Sequence, residues 1–484
     1  MTLKRKIARG AATTALAQVA RLGLQLISII LLARLLTPED YGVLALAMVF
    51  VGLGELLREF GLSSATVQAK EVSDDQQSNL FWLNVGVGAS LALISFVGAG
   101  YASRVFEQPA LQGVLSWLSL TFLVNGMAAQ HRARLNRKME FGPIAAADFI
   151  GQLLGTATGI GMAMTGWGVW SLVGQQIAQA LSILLILNVA TRWMPSRPRR
   201  EASIRSFLSY GWGLMGAQLV NYASRNVDSL LIGHQFGGAA LGVYNRAYQL
   251  LMMPLTQLSA PSTTIALPVL AQERDEKRYK EKVLAAQTFF LNAIMLMVGG
   301  AACTAAALIP LLLGKQWTSA IPLFEVLCVA GFAQAAGYAS YWVFLSKGLT
   351  TLHFKFTLMI RPFMIGLIFL GSTVSVLGVA AAYAASVTLV WLSGLYVLRH
   401  SGAPVMSMLK NGLTTMFAYG GAAAISMATH SMNLVPTDGW YAVLTRAAIY
   451  VLVIALMFLA IPPYRKILLE LYETVATAIS KKKD

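Results

Sequence analysis

The sequence predicts an all-α polytopic membrane protein with about fourteen transmembrane helices, built from two related halves. Of its 484 residues, 56% are hydrophobic and 12% are charged, whereas a soluble domain carries roughly 25% charged residues. Apolar runs of about 20 residues, the length that crosses a bilayer, recur along the chain with short polar breaks. Polar residues inside the first run recur 200 residues later, as Gln18 and Gln218 illustrate.

The apolar runs define the spans in chain order. The eighth span contains Pro254, Pro261 and Pro268. We expect one kinked helix there, because neighbouring helices satisfy the carbonyl groups that a proline frees. A short turn between Gly371 and Gly378 separates the eleventh span from the twelfth. The spans lie near residues 13–36, 42–62, 79–103, 112–131, 144–165, 168–190, 207–235, 243–270, 284–309, 320–345, 355–376, 378–398, 411–430 and 441–462.

Basic residues cluster in alternate loops between the spans. The 37 Lys and Arg residues outnumber 21 acidic residues and give a formal net charge of +16. Because basic loops stay in the cytoplasm, both termini are predicted to be cytoplasmic, in a bacterial inner membrane. This placement also argues against a nucleic-acid partner, since the charges follow membrane topology. Most basic residues lie in loops 4–9, 70, 132–138, 192–205, 274–282, 347–355, 399–410 and 465–483.

The basic start of the chain resembles that of a signal peptide. Arg21 lies inside the first apolar run, and no small-residue cleavage site precedes the next polar break. We therefore expect the first run to be retained as a span.

Residues that usually carry chemistry are sparse. The two cysteines, Cys303 and Cys328, lie in or beside apolar runs and are expected to pack as small hydrophobic side chains. The sequence has no zinc-binding pattern and no nucleotide-binding glycine loop, so we expect no metal, no cofactor and no direct use of ATP. The five histidines are scattered, and the predicted extracytoplasmic loops are short. Both features argue against an enzyme, which needs positioned acid, base or nucleophilic groups.

A polar stripe repeats in the two halves. Within each half, the polar residues step through i, i+3, i+7 and i+10, which places them on one helical face. Gly42 and Val43 likewise match Gly242 and Val243, so the turn after the stripe belongs to the repeat. The stripes are Gln18, Arg21, Gln25 and Ser28 in the first half, and Gln218, Asn221, Arg225 and Asp228 in the second.

The arginine in each stripe is its most informative residue. Gln, Asn and Ser inside spans often only bond one helix to another. An arginine at the bilayer centre costs at least about 2.5 kcal/mol, so it normally faces the protein interior or a water-filled cavity. Arg21 and Arg225 therefore suggest a polar cavity between the halves. Transporters commonly place their substrate site at such a repeat interface, and on this ground the sequence favours a transporter.

Other charged residues also lie inside predicted spans. Glu55 or Glu59 lies within one turn of Arg58, and we expect a structural ion pair there.

Arg361 and Arg446 lie toward the ends of their spans, where snorkelling to the membrane surface accounts for both. Asp228 is one turn from Arg225 and is interpreted as its ion-pair partner, as an ion-coupling site, or as both.

Two stretches carry a resemblance to a known family. The first reads GAATTALAQVARLGLQLISIILLARLLTPEDYGVLALA over residues 10–47, followed by FGLSSATVQ over 60–68. The second, LLIGHQFGGAALGVYNRAYQL over residues 230–250, repeats the turn at the start of the second half. The chain resembles the polysaccharide-transport branch of the multidrug/oligosaccharidyl-lipid/polysaccharide exporter superfamily, the flippases of O-antigen, capsule and exopolysaccharide. The resemblance covers the whole chain and is specific to the family rather than to a substrate.

The resemblance implies two pseudo-symmetric six-helix lobes around a central cavity that opens alternately to each side. The lobes would be residues 1–205 and 206–400, followed by an additional helix pair at 401–465 and a basic cytoplasmic tail at 466–484. The implied substrate is a polyprenyl-diphosphate-linked oligosaccharide that moves from the cytoplasmic to the periplasmic leaflet.

Arginine suits such a substrate, because a guanidinium group forms bidentate, charge-assisted hydrogen bonds with phosphate oxygens. Arg21 and Arg225 are the expected diphosphate contacts. The expected contacts of the sugar hydroxyl groups are Gln18, Gln25, Gln218 and Asn221.

Two alternatives remain. A multidrug exporter of the same superfamily would share the fold, but we would expect acidic residues in its cavity for cationic drugs. A membrane-embedded glycan-processing enzyme would need a substantial loop or domain to hold its acceptor. The sequence leaves open whether a proton or sodium ion drives transport, and whether polysaccharide-assembly proteins such as a polymerase are partners.

Overall fold

The protein is built from long α-helices joined by short turns. The computed structural model describes residues 20–59, 72–199, 201–202, 204–432 and 439–460, with Pro462 and Arg465, and these residues contain no strand. We number the helices in chain order. They are α1 (20–35), α2 (Pro38–Glu59), α3 (Asp74–Val105), α4 (Pro109–Leu118), α5 (Leu120–Arg137), α6 (Phe141–Met164), α7 (Val169–Thr191), α8 (Arg205–Gln235), α9 (Gly237–Ala271), α10 (Glu276–Leu313), α11 (Ala320–Ser346), α12 (Thr350–Ser372), α13 (Val376–Val397), α14 (Val405–Ser431) and α15 (Gly439–Ala460).

Each predicted span overlaps at least one of these helices, and the all-α class is confirmed. The fourth span is divided at Ser119 into α4 and α5. The eighth is one continuous helix, α9, with all three prolines inside it. In the described part of the chain, nine helical segments are long and apolar enough to cross a membrane. The count of fourteen spans stays a prediction.

The chain divides into two compact units, Met1–Gly242 and Val243–Asp484. Helices α1 to α8 belong to the first unit and α10 to α15 to the second. The division falls near the start of α9. The lobe boundary after residue 205 stays a prediction, and the predicted tail at 466–484 lies outside the described residues.

The turns that follow the two polar stripes meet in a reciprocal contact inside the first unit. A Cβ atom built on Gly42 would lie 1.7 Å from the carbonyl oxygen of Gly238, and one built on Gly242 would lie 1.8 Å from that of Pro38. Gly242 is the counterpart of Gly42, and Gly238 is the counterpart of Pro38, at the 200-residue offset. Each copy of the repeat thus makes the same contact with the other, as across a two-fold axis. The contact supports the repeat and gives it a local pseudo-two-fold geometry.

Helices α6 and α7 pack closely along a glycine ridge. Gly151, Gly155 and Gly159 are four residues apart and so share one face of α6. A Cβ atom on Gly155 would lie 2.8 Å from the carbonyl oxygen of Gln175 on α7. Small residues let backbones approach in this way in many membrane helix pairs. The α6–α7 contact therefore depends on the lack of a side chain at these positions.

Replacing Gly155 by valine is expected to destabilise the folded protein by about 1–3 kcal/mol, because the new side chain overlaps the α7 backbone. The melting temperature of the detergent-purified protein measures this effect. Gly161→Val on the same helix is the matched control, since a Cβ atom there would have no heavy atom within 4 Å. An equal fall in melting temperature for both variants would contradict the ridge.

The segment after α7 is attached to the start of α3. Asn79 Nδ2 donates hydrogen bonds to the carbonyl oxygens of Arg199 at 2.7 Å and Ala202 at 2.8 Å. Trp82 Nε1 donates to the carbonyl oxygen of Ser196 at 2.9 Å. The connection between α7 and α8 is therefore held by side chains of the first unit.

The second unit is organised around α10. This helix packs on α11, α14 and α15. Tyr419 Oη on α14 donates to Asn292 Oδ1 at 2.8 Å, and Tyr450 Oη on α15 donates to the carbonyl oxygen of Met295 at 2.9 Å. The last helix pair is therefore joined to α10 by buried hydrogen bonds.

Arg446 does not snorkel to the membrane surface. Its side chain is 1% exposed and lies on the α15 face that also buries Ala442 and Tyr450. These residues are four apart, so they share one face, and α15 packs on α10 and α14. The predicted snorkelling of Arg446 is wrong, because helix packing takes this residue into the interior of the second unit.

An ion pair joins the loop after α9 to the start of α10. Glu273 lies in the connection between α9 and α10, and its Oε2 lies 2.5 Å from Nζ of Lys282 in the second turn of α10. The hydrogen bond from Lys282 is the main cause that lowers the pKa of Glu273, and the backbone N–H of Asp275 adds to it.

Candidate functional site

The polar stripe of α1 is described from Arg21 onward. Arg21 and Gln25 are half-buried, and Ser28 is buried. Gln175 Nε2 on α7 donates a hydrogen bond to Ser28 Oγ at 3.1 Å. This bond fixes one end of the stripe against α7. Gln18 lies outside the described residues, so its role stays a prediction.

The stripe of α8 changes from exposed to buried along the helix. Gln218 and Arg225 are exposed, and Asn221 is half-buried. Asp228, at the other end, is 4% exposed, and its Oδ1 accepts a hydrogen bond from the backbone N–H of Ser229 at 2.8 Å. The choice between an ion pair and an ion-coupling role for Asp228 stays open.

Arg21 and Arg225 carry positive charges without a carboxylate partner in the part of the chain that the structure describes. Six ion pairs are present there, and neither arginine takes part in any of them. A planar guanidinium group is able to form paired hydrogen bonds with an anionic group such as a phosphate.

Arg225 lies well inside its helix. It precedes the end of α8 at Gln235 by ten residues, which is about 15 Å at the rise of an α-helix. Arg225 therefore lies in the interior of α8 and not at either end.

Tyr222 sets the rotation of α8. Its Oη donates to the carbonyl oxygen of Val49 on α2 at 2.8 Å. Gly52 gives room for this contact, because a Cβ atom there would lie 2.3 Å from Tyr222 Oη. Tyr222 is one turn before Arg225, so the same contact fixes the direction of the arginine. Sequence reasoning missed Tyr222, since its spacing does not follow the polar stripe.

The predicted ion pair on α2 is confirmed. Arg58 Nε lies 2.8 Å from Glu55 Oε2, and Asn125 Nδ2 on α5 donates to the other carboxylate oxygen at 2.8 Å. The charges of Arg58 and Glu55 compensate each other, and the hydrogen bond from Asn125 joins α2 to α5. Its role is structural.

Arg246 on α9 is a buried arginine that sequence reasoning did not single out. Its Nη1 donates to Gln249 Oε1 at 2.8 Å, and its guanidinium lies 5.4 Å from the centre of the Trp317 ring. In the sequence, Arg246 could have been noticed as a charged residue near the start of the predicted eighth span. Its polar and aromatic contacts indicate a packing role in the second unit.

Within the described ranges, no group of three or more His, Cys, Asp or Glu side chains could hold a metal ion. The first unit instead presents two repeated polar stripes, with two arginines that have no carboxylate partner among the described residues. The fold and these stripes together define the class to look for, a multi-pass helical membrane protein with arginines among its polar positions.

The comparisons identify the family. The chain belongs to the polysaccharide biosynthesis protein family, whose model matches residues 31–322. It is 27% identical to the lipopolysaccharide biosynthesis protein WzxC of Escherichia coli K12, over 74% of this chain and 73% of that protein. It is 23% identical to the teichuronic acid biosynthesis protein TuaB of Bacillus subtilis, over 73% of this chain and 74% of that protein.

Solved structures show the same fold. The lipid II flippase MurJ in an inward closed conformation matches with a TM-score of 0.73 and 15% identity, over 94% of this chain and 99% of that one. An inward-facing multidrug transporter of the MATE family and MOP superfamily matches with a TM-score of 0.60. This match covers 81% of the present chain and 99% of the MATE transporter, at 15% sequence identity. These structures show the fold alone, and the family match over residues 31–322 confirms the polysaccharide family that the sequence resembles.

Proposed function

We propose that this protein is a flippase for a polyprenyl-diphosphate-linked oligosaccharide in the biosynthesis of a surface polysaccharide. It moves this substrate from the cytoplasmic to the periplasmic leaflet of a bacterial inner membrane by alternating access, with both termini in the cytoplasm. The relatives support the pathway, because WzxC is named for lipopolysaccharide biosynthesis and TuaB for teichuronic acid biosynthesis. The flippase MurJ supports the fold.

One observation carries the proposal: Arg21 and Arg225 have no carboxylate partner among the described residues, and each lies in a helix that the sequence predicts to be a span. A diphosphate needs the charge-assisted hydrogen bonds that two guanidinium groups offer. In this account the diphosphate contacts these two arginines. The sugar hydroxyl groups contact Gln25, Gln218 and Asn221, with Gln18 extending the stripe of the first half.

The charge of the stripes also favours this substrate over a cationic drug. A drug exporter of the same fold would need uncompensated carboxylates where this chain has arginines. Asp228 is the single acidic residue of the two stripes, and it is buried. It is a candidate for proton or sodium coupling, because buried intramembrane acids commonly serve that role.

Deleting the gene in its own host tests the proposal. We expect the surface polysaccharide to disappear and the lipid-linked oligosaccharide to accumulate on the cytoplasmic side, while drug susceptibility stays unchanged. Restoring the gene should reverse both effects. Normal polysaccharide together with increased drug sensitivity would favour the multidrug exporter. Oligosaccharide that reaches the periplasm but remains chemically unprocessed would favour the enzyme.

A further inference from the structure

Two glutamine side chains lie one turn apart on α7, where this helix meets α1 and α6. Gln175 Nε2 donates to Ser28 Oγ of α1 at 3.1 Å, and Gln179 Nε2 donates to Gln152 Oε1 of α6 at 3.2 Å. Gln152 Nε2 in turn donates to Thr156 Oγ1 on its own helix at 3.3 Å. Because Gln175 and Gln179 are four residues apart, they share one face of α7 and are about 6 Å apart along its axis. We call these two side chains the α7 amide row.

Glycines of α6 hold the amide row in place. A Cβ atom on Gly159 would lie 3.0 Å from Gln175 Cβ, and one on Gly155 would lie 2.9 Å from Gln179 Cβ. Each glutamine is therefore packed against backbone at its first side-chain carbon and oriented by a hydrogen bond at its amide group. Side chains that are ordered before binding lose little entropy when a ligand arrives.

The amide row keeps unused hydrogen-bonding groups. In the bonds above each glutamine of the row acts only as a donor, and no donor among the described residues reaches Gln175 Oε1 or Gln179 Oε1. Both residues are half-buried, and neither oxygen is a fully buried atom without a partner. Bonding between helices, a common role of glutamine in membranes, accounts for the donors but not for these oxygens. Each amide group also has a second N–H.

The charges around the amide row favour a neutral ligand group. Helices α1 and α7 contain no acidic residue within 20–35 and 169–191, and the single acidic residue of α6, Asp148, is paired with Arg132. A metal cation would lack the carboxylate ligands that it prefers. The two carbonyl oxygens would repel a phosphate. A hydroxyl group both donates and accepts, as an amide does, so the hydroxyl groups of a sugar match the row.

The amide row lies two turns from one of the two arginines. Ser28, the partner of Gln175, follows Arg21 by seven residues on α1. This spacing places both on one face of the helix, about 10 Å apart along its axis. A ligand whose diphosphate contacts Arg21 would therefore bring the groups attached to that diphosphate toward the row. In a lipid-linked oligosaccharide those groups are the first sugars.

We propose that Gln175 and Gln179 bind hydroxyl groups of the sugars next to the diphosphate, and so select the glycan-bearing carrier over the bare lipid. The inference rests on the proposed function and deepens it, because it assigns part of the glycan to one helix of the first unit. The bare polyprenyl diphosphate has the same charged group as the full substrate. Contacts with arginine alone therefore cannot discriminate between the two, whereas contacts with the glycan can.

Binding of two probes to the detergent-purified full chain tests the amide row. One probe is the lipid-linked oligosaccharide isolated from the host, and the other is a polyprenyl diphosphate of the same chain length without sugar. We expect Gln179→Met to weaken binding of the sugar-bearing probe about three- to tenfold, the loss of one hydrogen bond between neutral groups, and to leave binding of the sugar-free probe unchanged. Gln175→Met should act in the same way. Methionine keeps the unbranched shape that fits against the α6 glycines.

The sugar-free probe separates a sugar contact from a structural role. Since Gln175 also bonds α1, a purely structural role would displace Arg21 and weaken binding of both probes equally. Gln112→Met is the matched control, because Gln112 is an exposed glutamine on α4 of the same unit. It should bind both probes normally.

Two results would overturn the amide row as a sugar contact. One is equal weakening of both probes in the folded Gln175→Met and Gln179→Met variants, and the other is unchanged binding of both probes in these variants. A wild-type protein that binds neither probe would refute the proposed function, and the sugar contact with it.

Discussion

Transport of the lipid-linked oligosaccharide is expected to fall at least about tenfold when Arg225 is replaced by alanine, and by a similar factor for Arg21→Ala. A hydrogen bond to a charged group contributes about 1.5–3 kcal/mol, and each 1.4 kcal/mol corresponds to a factor of ten. Arg225 is exposed and has no carboxylate partner among the described residues, so its removal leaves no buried charge behind. The initial rate at low substrate concentration, normalised to protein level, measures the effect.

Two variants control this experiment. Arg225→Lys keeps the charge but loses the paired hydrogen bonds, so an intermediate rate is expected. Arg104→Ala removes an exposed arginine from the end of α3, where Nε donates to the carbonyl oxygen of Gly100 in the same helix. It should transport at the normal rate. Unchanged transport in both Arg21→Ala and Arg225→Ala would refute the substrate contacts.

Replacing Gly42 by alanine is expected to cost more than about 3 kcal/mol of folding stability, the upper end for overpacking. The new methyl group would lie 1.7 Å from the Gly238 carbonyl oxygen, which is backbone and cannot rotate away. Gly242→Ala should be equally severe, because it meets the Pro38 carbonyl oxygen at 1.8 Å. Loss of the monodisperse protein after detergent extraction, or a large fall in melting temperature, measures the effect.

Gly23→Ala is the control for this pair. Gly23 lies on α1, and a Cβ atom there has no heavy atom within 4 Å. Alanine should be neutral or slightly stabilising at this position, because it lowers the entropy of the unfolded chain. Normal stability in Gly42→Ala and Gly242→Ala would show that the reciprocal contact is absent from the folded protein.

The positions of the helices and the match between Gly42 and Gly242 could be predicted from the sequence because both depend on local patterns. Runs of apolar residues mark the helices, and the steps from Gln218 to Asp228 mark one helical face. The Glu55–Arg58 pair was also predictable, since both partners lie on one helix a single turn apart. The sequence also showed that Gly42 matches Gly242 in the repeat. It did not show that each glycine packs against a backbone carbonyl group of the other copy.

The remaining features depend on which helix faces which. Arg446 was expected at the surface because it lies near a span end, but α15 turns that face toward α10 and α14. Tyr222 bonds a carbonyl group more than 170 positions earlier in the chain, which no local pattern can reveal.

Transport in proteoliposomes tests the central claim most directly. The purified protein is reconstituted with a short-chain polyprenyl-diphosphate oligosaccharide from the host pathway, and movement between leaflets is followed by enzymatic access to the glycan. We expect the wild-type protein to move the substrate and the Arg21→Ala/Arg225→Ala double variant to move it at a rate near that of empty liposomes. A wild-type rate equal to that of empty liposomes, or a double variant as fast as wild type, would contradict a flippase that binds the diphosphate through these two arginines.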